Sequence, residues 1–406
     1  MKITTELLGE HPALSAIECG LEISGSWIRG GDGLIGFGTY KTITVTGADR
    51  FAQAQQWWRE SLKQCEIHNS VHGSGTGPIL FASFSFDPDE SSVLIIPEVI
   101  VGKKGDKSWI TWIGDTQPEL HQAAQKSLGQ QFTWSQGTLN NDEWCARVDQ
   151  VVARIKAGEL EKVVLARNEI ATSHSPIDTR SILQALEAEY PSTWLYYVAG
   201  LVGATPELLV RLNKTLVTSR VLAGTIRRTG DEERDLLLAG SLAKSSKDLE
   251  EHEYAVRSVA DALAPFASST NVPESPFVLH LPNVMHLATD VTGVINDSVE
   301  HIDIFTLTAA LHPSAAVCGT PTPKARALIT EIESLNRGRY AGPVGWIDAR
   351  GDGEFGIALR CGLISDDKKS IELYAGCGIV AGSDSAQELA ESQAKLAPVK
   401  SALTKL

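Results

Sequence analysis

No stretch of this chain approaches the ~20 consecutive apolar residues that a membrane-crossing helix requires. The opening MKITTELLGEHPALSAIE has no basic leader followed by an apolar run, so no export signal is expected. Cysteine is sparse and scattered: Cys19, Cys65, Cys145, Cys318, Cys361 and Cys377 form no CxxC pair. They read as buried free thiols in a reducing cytoplasm. Basic residues are the minority, 36 against 50 acids, for a formal charge of -14. That balance argues against nucleic acid or an anionic membrane as the main partner. An anionic small molecule stays open, provided a local cation or a few well-placed basic groups meet it. Neither an internal repeat nor a low-complexity tract is present.

What is present is ordinary for a folded protein: 406 residues, 43% hydrophobic and 21% charged. The length is ample for a sizeable core, in one large domain or in two to three smaller ones. WIRGGDGLIGFGTYKTITVTG alternates β-branched residues with glycine and predicts a hairpin or meander. ADRFAQAQQWWRESLKQC predicts a helix, and GPILFASFSFDP a strand stopped by proline. The polar, glutamine-rich segment from about Thr116 to Asn141 is the candidate junction between subregions. Beyond it, Trp144, Val148, Val151, Val152 and Ile155 recur at helical spacing, closed by Gly158. Strands LEKVVLAR, WLYYVAGLVG, PELLVRL, TLVTSRVLAG, HLATDVTGVI and IELYAGCGIV then alternate irregularly with helices near DTRSILQALEAEY, Asp231, DLEEHEYAVRSVADAL and Ser385. LHPSAAVCGTPTPKA reads as a loop. Without regular βαβ repetition, α+β fits better than a doubly wound sheet.

Two distant stretches each carry acids one helical turn apart, Asp248 with Glu251 and Glu388 with Glu391. Residues at i and i+3 share a helix face, so each pair points its carboxylates one way. By residue type alone such pairs are solvated helix faces. Brought together, four carboxylates would repel one another unless a cation held them. Oxygen donors without thiolates or a histidine cluster favour Mg²⁺.

From Leu160 onward, nine stretches in order resemble the chorismate-utilising enzymes, the isochorismate, salicylate, anthranilate and aminodeoxychorismate synthases. They are KVVLAR, GATPELLV, VLAGTIRR, SSKDLEEH, MHLATDVTG, LHPSAAVCGTP, RGRYAGPVGW, ALRCG and AGCGIVAGSDSAQELAESQAK. GPILFASFSFDP resembles the more variable N-terminal part of isochorismate synthases, and no tryptophan-feedback signature accompanies it. The resemblance implies one large α+β domain of antiparallel sheets flanked by helices, like anthranilate synthase component I. Within it, residues 1–135 form the variable part and residues 140–406 the chorismate-binding catalytic region.

The resemblance also assigns roles. Mg²⁺ would sit on Glu251 and Glu391, with Asp248 and Glu388 reaching it through water. Family members usually have Glu where Asp248 stands, although Asp is common in isochorismate synthases. The enolpyruvyl carboxylate of chorismate would meet Arg360, Tyr340 and the backbone at Gly376 and Gly378. Arginine's planar fork suits a carboxylate, and an unpaired guanidinium in apolar ALRCG would be costly. Gly224, Thr225 and Lys395 match the grip on the ring carboxylate. Tight turns are the bland alternative for these glycines. His286 matches a pocket histidine, and a core histidine bonded to backbone fits as well.

Lys162 and Glu207 name the reaction. Lys162 matches the base that activates water in isochorismate and salicylate synthases; the ammonia-using members typically lack it. A lysine with its ordinary pKa of about 10.4 needs desolvation and nearby cations to act at neutrality. Glu207 matches the acid that protonates the leaving C4 hydroxyl, which requires a raised pKa in a dry pocket. Ala223 stands where aminodeoxychorismate synthases carry a nucleophilic lysine. Ala316 stands where salicylate and anthranilate synthases tend to carry threonine, which favours stopping at isochorismate. The expectation is a Mg²⁺-dependent enzyme adding water at C2 of chorismate, without a glutamine amidotransferase subunit. Salicylate formation with pyruvate loss, or a non-catalytic chorismate-binding subunit, are the alternatives.

Overall fold

Neighbouring residues Trp27 and Ile28, Leu34 and Ile35, Ile100 and Val101, and Trp109 and Ile110 are all buried, yet each pair divides between two separate cores. Successive side chains on a strand point to opposite faces, so these strands belong to a sheet covered on both sides. The computed structural model describes residues 1–124, 129–296 and 302–406, the side chains of Lys247 and Glu251 excepted.

The larger sheet has 13 strands among the described residues. From Phe132–Gln136 at one edge it runs through Lys162–Ser173, Ser370–Ile379, Cys361–Ile364, Leu201–Thr205 and Trp194–Val198. It continues to Ile23–Arg29 and five further strands from the first 113 residues. Among the described residues a second sheet of 10 strands runs from Ala267–Asn271 through Val284–Ile295, Leu216–Arg227, Leu208–Asn213, Gly353–Ile357 and Pro343–Asp348. It ends on Ile79–Ser83, Ser92–Ile96 and Lys41–Val45. Among the described residues pairing is antiparallel, apart from the parallel contact of Lys2–Leu8 with Glu66–Asn69. The α+β architecture with antiparallel sheets and flanking helices is therefore as the sequence led us to expect.

Between the sheets lies the first core, where Phe84 meets Phe305 edge-on at 5.6 Å and Phe355 at 6.0 Å. Each fully buried phenylalanine contributes about 1.5–3 kcal/mol. On the outer face of the larger sheet, helices Thr179–Glu189 and Ser385–Thr404 bury Ile182, Leu183, Leu186, Leu396, Val399 and Leu403. Helix Ser246–Leu263 packs on the strands Leu216–Arg227 and Val284–Ile295 through Val256, Val259 and Leu263.

Strands from before and after the expected junction share both sheets. Ile23–Arg29 pairs with Trp194–Val198, and Ile79–Ser83 with Pro343–Asp348. Residues 125–128 of that junction lie outside the described residues. One expectation is corrected: LHPSAAVCGTPTPKA is a loop only in part, since helix Thr322–Ile332 begins inside it. Helix Ile304–Leu311, immediately before the loop, was not foreseen.

Candidate active site

The two acid-bearing helices are started by side chains placed just ahead of their acids. Ser245 Oγ accepts the Asp248 N–H at 3.3 Å, and Asp384 accepts the Gln387 N–H at 3.0 Å. Asp248 and Glu388 therefore sit in first turns, where the helix dipole favours negative charge. Both helices reach one cavity of about 300 Å³, which Asp248, Glu388 and Glu391 line together. Glu251 lies on the helix Ser246–Leu263, but its side chain is outside the described ones.

The other walls come from both sheets. Lys162 opens the strand Lys162–Ser173, whose neighbour Ser370–Ile379 places Gly378 opposite Val164 and Gly376 opposite Ala166. A Cβ on Gly378 would come within 2.9 Å of Lys162 Cε, and one on Gly376 within 2.9 Å of the Tyr340 hydroxyl. The absent side chains are what allow the lysine and the phenol to lie over this strand. From the second sheet, a bulge between Ala223 and Thr225 turns Gly224 to φ +78°. Ala223, Gly224 and Thr225 thereby all border the cavity, with Asp248 packed 3.2 Å from where a Gly224 Cβ would be.

Arg360 is buried with a left-handed backbone, φ 51°. A non-glycine residue held there carries about 1–3 kcal/mol of strain, a pattern that concentrates at functional sites. Its Nη2 lies 3.5 Å from His286 Nε2, and Thr225 Oγ1 lies 3.0 Å from His286 Nδ1. Burial, with Arg360 and Lys395 nearby, pushes the His286 pKa down to about 3. The neutral ring thus accepts from Arg360 at Nε2 and carries its proton on Nδ1, toward Thr225. Tyr340 stacks on Tyr374 at 5.2 Å, and burial raises its phenol.

Glu207 is only 8% exposed. Burial pushes its pKa up to about 7, against the pull of Arg360, Lys162 and Lys395. Glu391 behaves oppositely: burial would raise it, but Lys395, Arg360 and Lys162 outweigh that and hold it below the usual range. Lys395 Nζ sits 2.6 Å from Glu391 Oε1 and donates to Gly376 O at 2.8 Å. Glu388 is raised by burial, with Glu391 adding like-charge repulsion.

Donor atoms of Glu388, Glu391 and Cys377 lie within 4.8 Å of one another. Burial keeps the Cys377 thiol protonated, and it donates to Glu388 O at 3.3 Å. Protonated, it is a poor ligand, so the donors left are carboxylate oxygens. Converging carboxylates, one raised by burial and further by its neighbour, with a third acid on the same cavity, fit a hard divalent cation.

Every candidate residue whose side chain is described lines this cavity, including Ala316. The sequence reading missed Gln387 and Ser383, which also line it. Gln387 lies four residues before Glu391, a spacing that also shares a helix face, so helical periodicity could have found it.

The chain matches the family described as "Chorismate binding enzyme" over residues 29–404. It is 31% identical over 390 residues to isochorismate synthase MenF of Bacillus subtilis, covering 88% of this chain and 82% of that protein. Isochorismate synthase DhbC of the same organism is 36% identical over 330 residues, covering 78% and 79%. The solved structure of MenF, the menaquinone-specific isochorismate synthase from Escherichia coli, superposes with a TM-score of 0.82. At 23% identity it covers 99% of this chain and 94% of its own. With the match spanning nearly its whole length, the chain belongs to the chorismate binding enzyme family.

Proposed function

We propose that the protein is an isochorismate synthase, converting chorismate to isochorismate by adding water at C2 and expelling the C4 hydroxyl. The observation that carries this reading is the pairing of Lys162 with Glu207 on one cavity, the acid holding a pKa of about 7. Lys162 takes a proton from the incoming water as its oxygen bonds to C2. The ring double bonds shift, and Glu207 gives its proton to the C4 oxygen, which leaves as water. A pKa near the working pH lets Glu207 hold that proton and still release it.

Arg360 and Tyr340, with the Gly376 backbone, orient the enolpyruvyl carboxylate. Thr225, the Gly224 bulge and Lys395 orient the ring carboxylate. His286 fixes the Arg360 and Thr225 side chains from between them. Glu391 and Glu251 would hold Mg²⁺, with Asp248 and Glu388 beside them. When bound, the ion neutralises these acids and draws electron density toward the ring carboxylate as a Lewis acid. The anionic substrate suits the site despite the acidic chain, because the local cations set the field.

Ala316 borders the cavity where a hydroxyl would favour pyruvate loss, which supports isochorismate as the end product. Isochorismate would feed menaquinone or siderophore synthesis. Six free cysteines suit a reducing cytoplasm, and among the described residues no helix is long and apolar enough to cross a membrane. A water-using site calls for no amidotransferase subunit. Purified protein incubated with chorismate and Mg²⁺, followed by chromatography, tests the reading. Isochorismate should accumulate; salicylate plus pyruvate as dominant products, or no conversion, would refute it.

A further inference from the structure

The strand Lys162–Ser173 has a broken ladder along one edge. Thr320 and Gly319 pair with Lys162 and Val163, and Phe132–Gln136 pairs only from Glu169 onward. Between them, among the described residues, no strand meets Val164 or Ala166 on that edge. Cys318 O in the loop accepts the Val164 N–H at 2.9 Å, and side chains take the other backbone groups. Arg337 Nη2 donates to Val164 O at 2.7 Å, Glu333 Oε2 accepts the Ala166 N–H at 3.1 Å, and Trp144 Nε1 donates to Ala166 O at 3.2 Å. Arg337 and Glu333 are themselves an ion pair, joined at 2.7 and 2.6 Å, with side chains only 4% and 1% exposed. Burial would lower the Arg337 pKa, but Glu333 outweighs it and holds the guanidinium above its ordinary value. Arg337 Nη1 also donates to Val317 O at 3.1 Å, and the Arg337 carbonyl accepts the Tyr340 N–H at 2.8 Å. One residue thus ties together the strand of Lys162, the loop of Ala316 and the turn of Tyr340, all of which border the substrate cavity.

We infer that Glu333 and Arg337 are positioning residues for the reaction, holding the edge of the base strand and the neighbouring loop so that Lys162 and Ala316 keep fixed places on the cavity. The inference rests on the proposed role of Lys162 as the base. A buried ion pair is weak evidence for stability. What this one supplies is geometric: partners for Val164 O, Ala166 N–H and Val317 O that apolar side chains could not provide. Lys162, Val164 and Ala166 share one face of the strand, so a backbone shift at Val164 is carried to the amine. Neither Glu333 nor Arg337 lines the cavity, so both act through residues that do. A displacement of about 1 Å at a reacting group can cost about 10²-fold in rate.

The test starts from Arg337→Lys, which keeps the charge but replaces a planar fork with a point charge on a flexible stem. An ammonium cannot span Val164 O, Val317 O and the Glu333 carboxylate in one fixed geometry. In the folded variant kcat should fall about tenfold or more, with KM for chorismate within about twofold of wild type. Glu333→Gln keeps an acceptor for the Ala166 N–H and loses the charge that holds Arg337. Its kcat should fall about threefold or more, and it decides the matter where the lysine variant is not recovered folded. Gly378→Ala crowds the same amine from the other side, with a Cβ 2.9 Å from Lys162 Cε. Combined with Arg337→Lys, its loss should fall short of the product of the two single losses, because both act through one lysine. Independent structural damage would multiply instead. Wild-type kcat in the folded variants would overturn the inference, as would multiplying losses in the double variant. Lys162→Met separates the two claims. If it is inactive while Arg337→Lys keeps wild-type kcat, only the positioning falls; if it turns over normally, the base assignment falls first.

Discussion

Glu207→Gln should make the protein inactive and, at alkaline pH, more stable. The carboxyl moves from an ordinary 4.5 to about 7 on folding, because burial strips water from its charged form. The gap corresponds to about 3 kcal/mol at 1.36 kcal/mol per pH unit. The sign follows from proton linkage. Between pH 4.5 and 7 the folded state binds more protons at this site than the unfolded state, so stability falls as pH rises through that window. Below it the acid is neutral in both states, and glutamine, which mimics the neutral acid, should match it. Above it the wild type carries a buried charge that the variant lacks. Chemical unfolding across pH 4 to 8.5 should show the variant gaining up to about 3 kcal/mol at the alkaline end and nothing at the acid end. Turnover should drop by about 10²–10⁴-fold, the usual contribution of a positioned acid. In the wild type, kcat/KM should decline above pH ~7 as the acid ionises. A variant no more stable than wild type at pH 8.5 would refute the claim that Glu207 is held as a destabilised, proton-bearing acid.

Lys162→Met should abolish turnover while calorimetry still records chorismate binding with Mg²⁺; near-normal turnover would remove this lysine from the chemistry. Gly378→Ala places a methyl group 2.9 Å from where Lys162 Cε lies. It should lower kcat about tenfold or more by displacing the amine, with a smaller change in KM; an unchanged kcat would show that the amine's path over this strand does not matter. Glu391→Gln should weaken Mn²⁺ binding, measured directly by titration, at least tenfold, and chelator should silence the wild type; undiminished binding would move the metal elsewhere.

Much of the site was legible because its chemistry lies in short contiguous motifs. The paired acids carry their own periodicity, and Lys162, Glu207 and Arg360 each stand at the end of a recognisable strand. Helix Ile304–Leu311 escaped notice for the opposite reason. IFTLTAAL is buried by Ile304, Phe305, Leu307 and Leu311 and lacks the polar stripe that marks an amphipathic helix. Helix Thr322–Ile332 hides behind a proline- and threonine-rich entry that reads as loop. Strand order was equally out of reach. The ladder joining Lys162–Ser173 to Ser370–Ile379 depends on residues some two hundred positions apart, and no local pattern encodes such a partner.

The interleaving of early and late strands bears on how the protein is made. Ile79–Ser83 finds its place beside Pro343–Asp348, and Ile23–Arg29 beside Trp194–Val198. Glu388, Glu391 and Lys395 arrive on the final helix of the chain. A ribosome therefore releases most of the polypeptide before either sheet can close, and the nascent hydrophobic strands must be shielded meanwhile. The pocket can form only once that final helix has been made, and a break anywhere in the first third should silence a pocket to which, among the described residues, that third contributes no wall.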